Sequence, residues 1–411
     1  MKFLAKIRME RGQLRILLSS FAAISGVGLL SYAALPFMFD STMDSLGLNG
    51  ADAGLLYSLE FLAAALSSLI VAPKMGKIKR RDLAFAGAFI VIIGNLASAL
   101  WSSHEFLLVF RPFTGIGAGL TLACGNATIA NARHPAKIAG MMNVLFVGMI
   151  FILMLLLSFV SESWGLQGIY FALAAVTMSY LVLLARMPQR SISNDLPTTS
   201  GKTTGKIMLS VAGITIFVVF LLFTLRDSMA WSYGVTIGNE VGYTTSEMGR
   251  LLSLQALIGL FGPIIAALIG FKYGMRFPLI FGLIFAGLTS YAIFLSVEAP
   301  YLFRISLLVF TAGYFFAISY LTAFAATLDP DGRIVAASGS AMVFGVAAGP
   351  AFSGYIISYG GYAMAAWATL ALVSLMTIAA LISLKWALKL KKSGRDDAEL
   401  ETIYDKQKET I

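Results

Sequence analysis

The sequence contains twelve apolar runs, each long enough to cross a lipid bilayer as a helix. The hydrocarbon core of a bilayer is ~30 Å thick, which takes about 20 helical residues, and a chain inside it must satisfy its backbone hydrogen bonds internally. Only 12% of the residues are charged and 58% are hydrophobic, so lipid must be the solvent for much of the chain. We predict an all-α integral membrane protein. Its spans 1 to 12 cover approximately residues 15–39, 53–73, 83–101, 106–131, 138–160, 164–186, 207–233, 248–271, 277–296, 301–327, 334–358 and 361–387.

A polar stretch divides these spans into two sets of six. Residues 187–206 (MPQRSISNDLPTTSGKTTGK) form a long interior segment that is poor in apolar residues, as is typical of a linker. We therefore predict an N-terminal six-helix bundle at 1–186, a linker at 187–206, a C-terminal bundle at 207–390 and a tail at 391–411. The basic N-terminus runs into span 1 without a small-residue cleavage site, which favours a membrane helix over a removed signal peptide.

The basic residues indicate how the chain is oriented. All 30 Lys and Arg residues except Arg111, Arg226, Arg250 and Arg304 lie in the two termini, in the linker or in loops on that same side. Loops on the opposite side carry acidic residues instead. Because cytoplasmic loops are enriched in Lys and Arg, both termini are predicted to be cytoplasmic. The net charge of +9 is thus a topology signal, and no nucleic-acid partner is expected.

The two halves resemble each other at an offset near 195 residues. The segment GLNGADAGLLYSLEF from Gly47 aligns with GYTTSEMGRLLSLQA from Gly242, and Trp164-Gly165 aligns with Tyr359-Gly360. An offset shared along the whole chain predicts two similar halves with a site between them. The first alignment pairs Gly54 with Gly249, Ser58 with Ser253, and Glu60 with Gln255.

Twelve spans, cytoplasmic termini, a central linker and repeated halves resemble the major facilitator superfamily over nearly the whole chain. The motif LVFRPFTGIGAG, which contains Arg111, is similar to the family's fourth-span pattern of an arginine followed by spaced glycines. The loop PKMGKIKRR departs from the family pattern, since Pro73 stands where an aspartate is usual. The glycine-proline motif of many drug–proton antiporters is missing from span 5, and Gly349-Pro350 lies in span 11 instead. The resemblance implies alternating access, with spans 1, 4, 7 and 10 around a central cavity.

Charged residues inside a span are costly and usually face the interior of the bundle. Glu60 shares a helix face with Tyr57 and Ser67, whereas leucines cover the opposite face, so it is expected to point inward. Arg111 lies at a comparable depth in span 4, which makes an ion pair feasible. Glu60 is then either half of a structural pair or a carboxylate that takes up a proton during turnover.

Arg226 and Asp227 are neighbours in span 7 and point ~100° apart on the helix. One of them is predicted to meet substrate or proton, and the other to pair with a neighbouring helix; the sequence leaves open which is which. Their counterparts by the repeat are Ser31 and Tyr32. Arg250 and Arg304 lie near span starts and are expected to snorkel to the interface.

The candidate site residues follow from these charges and from the polar faces of the spans that the resemblance places around the cavity. Asn126 extends the face of span 4 that carries Arg111. Glu60 and Asp227 are the candidates for proton coupling. The substrate-binding candidates are Tyr32, Arg111, Asn126, Arg226, Trp231, Thr311, Phe315, Ser319 and Thr322.

These residues predict secondary active transport of a small organic solute, coupled to protons. Two buried arginines favour an organic anion, since a guanidinium binds a carboxylate bidentately, while two buried acids keep a zwitterion or neutral solute open. The alternatives are a proton-antiport efflux pump for lipophilic compounds and, from another class, a transporter-like membrane receptor.

The sequence contains few residues that could carry catalytic chemistry. Cys124 is the single cysteine, and His104 and His134 lie in predicted loops, so neither a disulfide framework nor a cysteine metal site is expected. No nucleotide-binding loop is present. We therefore expect no enzymatic activity, no cofactor and no metal. The protein is predicted to be a multi-pass protein of the cell inner membrane and a monomer. Its predicted partners are a small-molecule substrate, protons and the lipid bilayer.

Overall fold

The structure is a computed structural model that describes residues 10–130, 132–133, 135–189, 211–270, 272–328 and 333–408, and these ranges contain helices and no strands. A π-helix at Ala22–Gly28 joins the first two α-helices within span 1. The α-helices are Arg11–Phe21, Leu30–Leu46, Gly50–Val71, Arg80–Leu100, His104–Ala130, Pro135–Leu184, Val211–Ser232, Gly234–Glu240, Thr245–Gly259, Phe261–Ile269, Arg276–Leu295, Tyr301–Leu328 and Arg333–Lys408.

Among the described residues, ten helices are long and apolar enough to cross a membrane. Two of them, Lys137–Leu184 and Ser338–Ala387, would be over ~70 Å long at 1.5 Å per residue, more than twice the hydrocarbon thickness. Each is interrupted by a glycine with non-helical angles, Gly165 (φ 56°, ψ −148°) and Gly361 (φ 73°, ψ −177°). The alignment of the halves pairs Gly165 with Gly360, so the second kink falls one residue later. Division at both kinks yields twelve segments; the number of crossings and the side of the termini stay predictions.

Several helix bounds differ from those predicted. Span 1 extends to Leu46, span 8 consists of Thr245–Gly259 and Phe261–Ile269, and the last helix continues to Lys408 through most of the predicted tail. The tail is rich in Lys and Glu, which are good helix formers that a search for apolar runs does not detect. Residues 190–206 of the predicted linker lie outside the described part of the chain.

The repeat is visible in the helix caps. Asn49 accepts a hydrogen bond from the backbone N–H of Asp52 (2.9 Å) at the start of span 2. Thr244 accepts the same bond from the N–H of Glu247 (3.2 Å) at the start of span 8. Each side chain satisfies a backbone donor that the first helical turn leaves unpaired. Both the caps and their partners are offset by the repeat distance, so the two halves begin these spans in the same way.

The halves pack closely through two matched pairs of spans. Ser58 of span 2 accepts a hydrogen bond from the N–H of Ala351 in span 11 (3.0 Å), and its counterpart Ser253 of span 8 donates to the carbonyl of Phe151 in span 5 (2.9 Å). One turn away, Gly54 faces the backbone of Pro350 so closely that an added Cβ would overlap it. Small residues thus allow spans from opposite halves to touch.

These contacts lie at one end of the bundle, which we call the sealed end: residues 40–58, 151–158, 239–253 and 350–354. Asn239 also donates to Asp40 across the halves there, at 2.9 Å. We call the opposite end of the bundle, which the charge pattern predicts to be cytoplasmic, the open end.

Candidate functional site

The centre of the site is the carboxylate of Asp227, which lies between the two halves. Its Oδ2 accepts a hydrogen bond from the hydroxyl of Tyr32 in span 1 at 3.2 Å. One turn further along span 7, the indole Nε1 of Trp231 donates to the backbone carbonyl of Tyr32 at 2.8 Å. Tyr32 and Asp227 are counterparts in the repeat, 195 residues apart. Two equivalent positions can touch only beside the pseudo-twofold axis that relates the halves, so this contact marks the middle of the molecule.

Arg226 points away from this contact and into its own half. Its Nη1 donates to the carbonyl of Ala286 (2.7 Å) and to the hydroxyl of Ser290 (2.5 Å) in span 9. Its guanidinium carbon lies 4.9 Å from the ring centre of Phe223, within the range of a cation–π interaction. Its Nη2 lies 3.7 Å from Oδ1 of Asp227, an ion pair without a short hydrogen bond. Of the two neighbours in span 7, Asp227 faces the other half and Arg226 faces span 9.

The ion pair expected between Glu60 and Arg111 is present inside the N-terminal half. Oε2 of Glu60 lies 3.5 Å from Nη1 of Arg111, and the two side chains are 1% and 0% exposed. Nη2 of Arg111 donates to Ser98 (2.7 Å) and Asn95 (3.0 Å) of span 3. The guanidinium also lies over the ring of Tyr170 in span 6, at 4.5 Å. Arg111 therefore binds spans 2, 3 and 6 to span 4.

The corresponding position of the C-terminal half carries an uncharged pair. Gln255, the repeat counterpart of Glu60, is buried and its Nε2 donates to the hydroxyl of Thr311 in span 10 at 2.9 Å. Phe315 lies one turn further, and its carbonyl accepts a hydrogen bond from the hydroxyl of Ser319 at 2.7 Å. Thr311, Phe315 and Ser319 are all half-buried. The two halves thus present different chemistry at equivalent depths.

The remaining candidates lie away from this centre. Asn126 and Thr322 are exposed and lie toward the open end, about four turns from Arg111 and about three turns from Thr311 on their own helices. Arg250 and Arg304 are exposed as well, the placement expected of snorkelling arginines. Tyr32, Trp231, Arg226 and Asp227 therefore form one group, Glu60 and Arg111 a second, and the span 10 residues a third.

Two aromatic residues that pack against this group are absent from the sequence-based candidates. The ring of Phe61 meets that of Tyr32 edge to face at 5.8 Å. The ring of Tyr314 stacks at 5.0 Å on Phe223, the ring that also contacts the guanidinium of Arg226. Tyr314 falls three residues after Thr311, so a helical face drawn at both three- and four-residue spacing would have included it. Phe61 follows Glu60 directly and carries no polar signal of its own.

The fold and the family are established by comparison with known proteins. A family model described as Major Facilitator Superfamily matches residues 16–345, and the chain belongs to that superfamily. Members of this superfamily are membrane transporters and not enzymes. A solved structure of the nucleoside transporter NupG aligns with a TM-score of 0.71 at 14% identity, over 92% of this chain and 99% of that one. A bacterial homolog of the human lysosomal transporter Spinster, in an inward-facing and unoccupied conformation, aligns with a TM-score of 0.70 at 16% identity, over 93% and 98%.

Curated relatives match only short parts of the chain. An uncharacterized transporter of Schizosaccharomyces pombe is 28% identical over 121 residues, which are 29% of this chain and 24% of the relative. The bacillibactin exporter of Bacillus subtilis is 30% identical over 102 residues, which are 24% and 25% of the two chains. The matches span about a quarter of each relative's length. They agree with a transporter of small solutes and specify no cargo for this chain.

Proposed function

We propose that this protein is a secondary active transporter of the cell inner membrane, in which alternating access moves a small organic solute and Asp227 couples the movement to protons. The observation that carries the proposal is the cross-half hydrogen bond from Tyr32 to Asp227. A group that bonds across the halves in one conformation and not in another changes its affinity for a proton with that conformation. Proton binding then shifts the balance of conformations in return.

Asp227 fits this role better than Glu60, the other candidate for proton coupling. The partners of Glu60 and Arg111 lie within the N-terminal half, so rigid-body rocking of the halves leaves that pair unchanged. Asp227 also keeps 9% of its side chain exposed, against 1% for Glu60. We assign the Glu60–Arg111 pair to holding the N-terminal half together, the first of the two hypotheses that its position allows.

The nature of the solute is a separate question, for which the sequence suggests an organic anion. Both arginines that motivated this hypothesis are 0% exposed and donate to groups of their own half. A carboxylate solute would have to displace those bonds in order to bind. The rival, export of a lipophilic compound, gains support from the paired rings of Tyr32 and Phe61, the first of which donates to Asp227, and its direction from the local similarity to the bacillibactin exporter. A monomer suffices for either, since one chain contains both halves.

The test is transport by purified protein in proteoliposomes with a defined pH gradient. Solutes are first selected by thermal stabilisation, because a ligand of the folded state raises its melting temperature. We expect the pH gradient to drive accumulation or extrusion of the selected solute by the wild type. The variant Asp227→Asn should only equilibrate the solute, while Glu60→Gln should keep its response to the gradient if it folds. Movement that ignores the pH gradient would refute proton coupling, and binding without any flux would favour the receptor alternative.

A further inference from the structure

Aromatic residues from both halves lie beside the carboxylate of Asp227. Tyr32 of span 1 donates to it, and the ring of Phe61 in span 2 meets that of Tyr32 edge to face. Trp231, one turn along span 7 from Asp227, donates to the carbonyl of Tyr32 from the C-terminal half. Aromatic rings carry negative charge on their faces and attract cations, most strongly where water is excluded. A carboxylate with aromatic walls is a typical environment for a positively charged organic group.

The negative charge of Asp227 is only partly compensated. Its Oδ2 accepts the single bond from Tyr32 at 3.2 Å, and its Oδ1 has no hydrogen-bond partner among the described residues. Arg226 lies 3.7 Å away, beyond the 2.7–2.9 Å of a charge-assisted hydrogen bond. The guanidinium is directed instead to Ala286 and Ser290 of span 9. Acceptor capacity therefore remains on a buried carboxylate, which is costly unless a ligand or a proton occupies it.

We propose that Asp227, with Tyr32, Phe61 and Trp231, binds the ammonium group of an organic amine. The rings supply cation–π contacts, and Oδ1 supplies the charge-assisted acceptor. A carboxylate solute would meet repulsion from Asp227, and a neutral solute would gain no benefit from its charge. This inference rests on the proposed function and specifies its substrate class. The amine and the coupling proton occupy the same carboxylate in turn, so the two cargoes exclude each other.

Equilibrium binding to the purified full-length protein, without a membrane or gradient, tests the proposal. The probes are benzylammonium, benzyl alcohol and benzoate, which share a phenyl ring and carry positive, zero and negative charge; isothermal titration gives the affinities. We expect the ammonium probe to bind at least tenfold more tightly than the other two. Asp227→Asn should weaken it at least tenfold, whereas the matched control Asp44→Asn, at an exposed position of the sealed end, should leave it unchanged.

Two further variants keep the test decisive if Asp227→Asn fails to fold. Tyr32→Phe keeps the ring but removes the hydroxyl that donates to Oδ2, so the ammonium probe should bind equally well or several-fold more tightly. Phe61→Leu removes a ring and should weaken binding about three- to tenfold. The proposal is overturned if benzyl alcohol or benzoate matches the ammonium probe, or if a folded Asp227→Asn or Phe61→Leu protein binds it as the wild type does.

The binding experiment and the transport experiment test the amine site and the proposed function separately. Should the ammonium probe not bind while a pH gradient still drives a solute through Asp227, the amine site is wrong and proton-coupled transport stands. Should the probe bind through Asp227 while the gradient drives nothing, the amine site stands and proton coupling falls.

Discussion

Substitution of Gly54 by alanine should shift the protein away from the conformation in which the sealed end is closed. A Cβ at Gly54 would overlap the carbonyl of Pro350 and approach the Cα of Ala351. Both are backbone atoms of span 11 and cannot move aside by a change of rotamer. The contact joins opposite halves, so the overlap arises only while spans 2 and 11 touch. A free-energy penalty confined to the conformation with the sealed end closed lowers the population of that conformation relative to the other.

The expected size of the shift follows from packing energies. Overpacking in a well-packed interior costs about 1–3 kcal/mol, which corresponds to about 5- to 150-fold in the equilibrium between conformations. The repeat counterpart Gly249 provides an internal scale. An added Cβ there would overlap the Cβ of Ser158 as well as its hydroxyl, and a change of rotamer moves only the hydroxyl. Gly249→Ala should therefore shift the equilibrium in the same direction by a comparable factor.

The assay is the distance distribution between spin labels at cysteines that replace Ser45 and Glu240, two exposed residues near the sealed end. The native Cys124, which is buried, is replaced by serine beforehand. Gly54→Ala should raise the fraction of long distances. Gly148→Ala serves as control, because no atom lies within 4 Å of its Cβ position. An unchanged distribution in Gly54→Ala, or an equal shift in the control, would refute the reasoning.

Three further substitutions test the stability of the bundle, each measured as the melting temperature in detergent. Arg111→Ala leaves the carboxylate of Glu60 buried without its partner and should cost about 3–5 kcal/mol. Ser290→Ala removes one acceptor from the guanidinium of Arg226 and should cost about 1.5–3 kcal/mol. Gly361→Ala places a side chain at φ 73° and ψ −177°, a region open essentially to glycine, and should cost about 1–3 kcal/mol.

Each of these three predictions could be contradicted by a specific observation. A wild-type melting temperature for Arg111→Ala would mean that Glu60 finds another partner or gives up its charge. A loss in Ser290→Ala larger than in Arg111→Ala would reverse the ranking of the two arginine sites. Gly339→Ala, at a helical position with open space, is the control for Gly361→Ala, and equal losses would refute the argument from the backbone angles.

The apolar runs and the repeat predict the fold because both are properties of the chain alone. The cost of exposing backbone groups to lipid forces helices wherever the runs occur, and the offset between halves aligns Ser58 with Ser253, which the structure places in corresponding contacts between the halves. The ion pair of Glu60 with Arg111 could also be predicted from the sequence, because helical spacing gives the depth of each residue in its span and the helix face on which it lies. Those inferences require no knowledge of how the helices pack against one another.

Other features depend on tertiary packing. The direction of Arg226 is fixed by acceptors on Ala286 and Ser290, about 60 residues away in sequence, which no local pattern identifies. Tyr314 joins the site because its ring stacks on Phe223, the ring that contacts Arg226, and its spacing in the sequence does not identify that partner. The continuation of the last helix beyond span 12 is not detected by a search based on hydropathy, because its residues favour a helix without being apolar.

The contact between Tyr32 and Asp227 has a consequence for the history of the two halves. In a symmetric assembly of two identical halves, this position would face its own copy across the axis. Two tyrosines there can share a hydrogen bond, but two aspartates, buried and side by side, would repel each other unless one of them kept a proton. In the fused chain Asp227 instead has a tyrosine hydroxyl as its donor across the axis and no second carboxylate at the equivalent position. Fusion of the halves thus lets the two equivalent positions diverge into a donor and an acceptor.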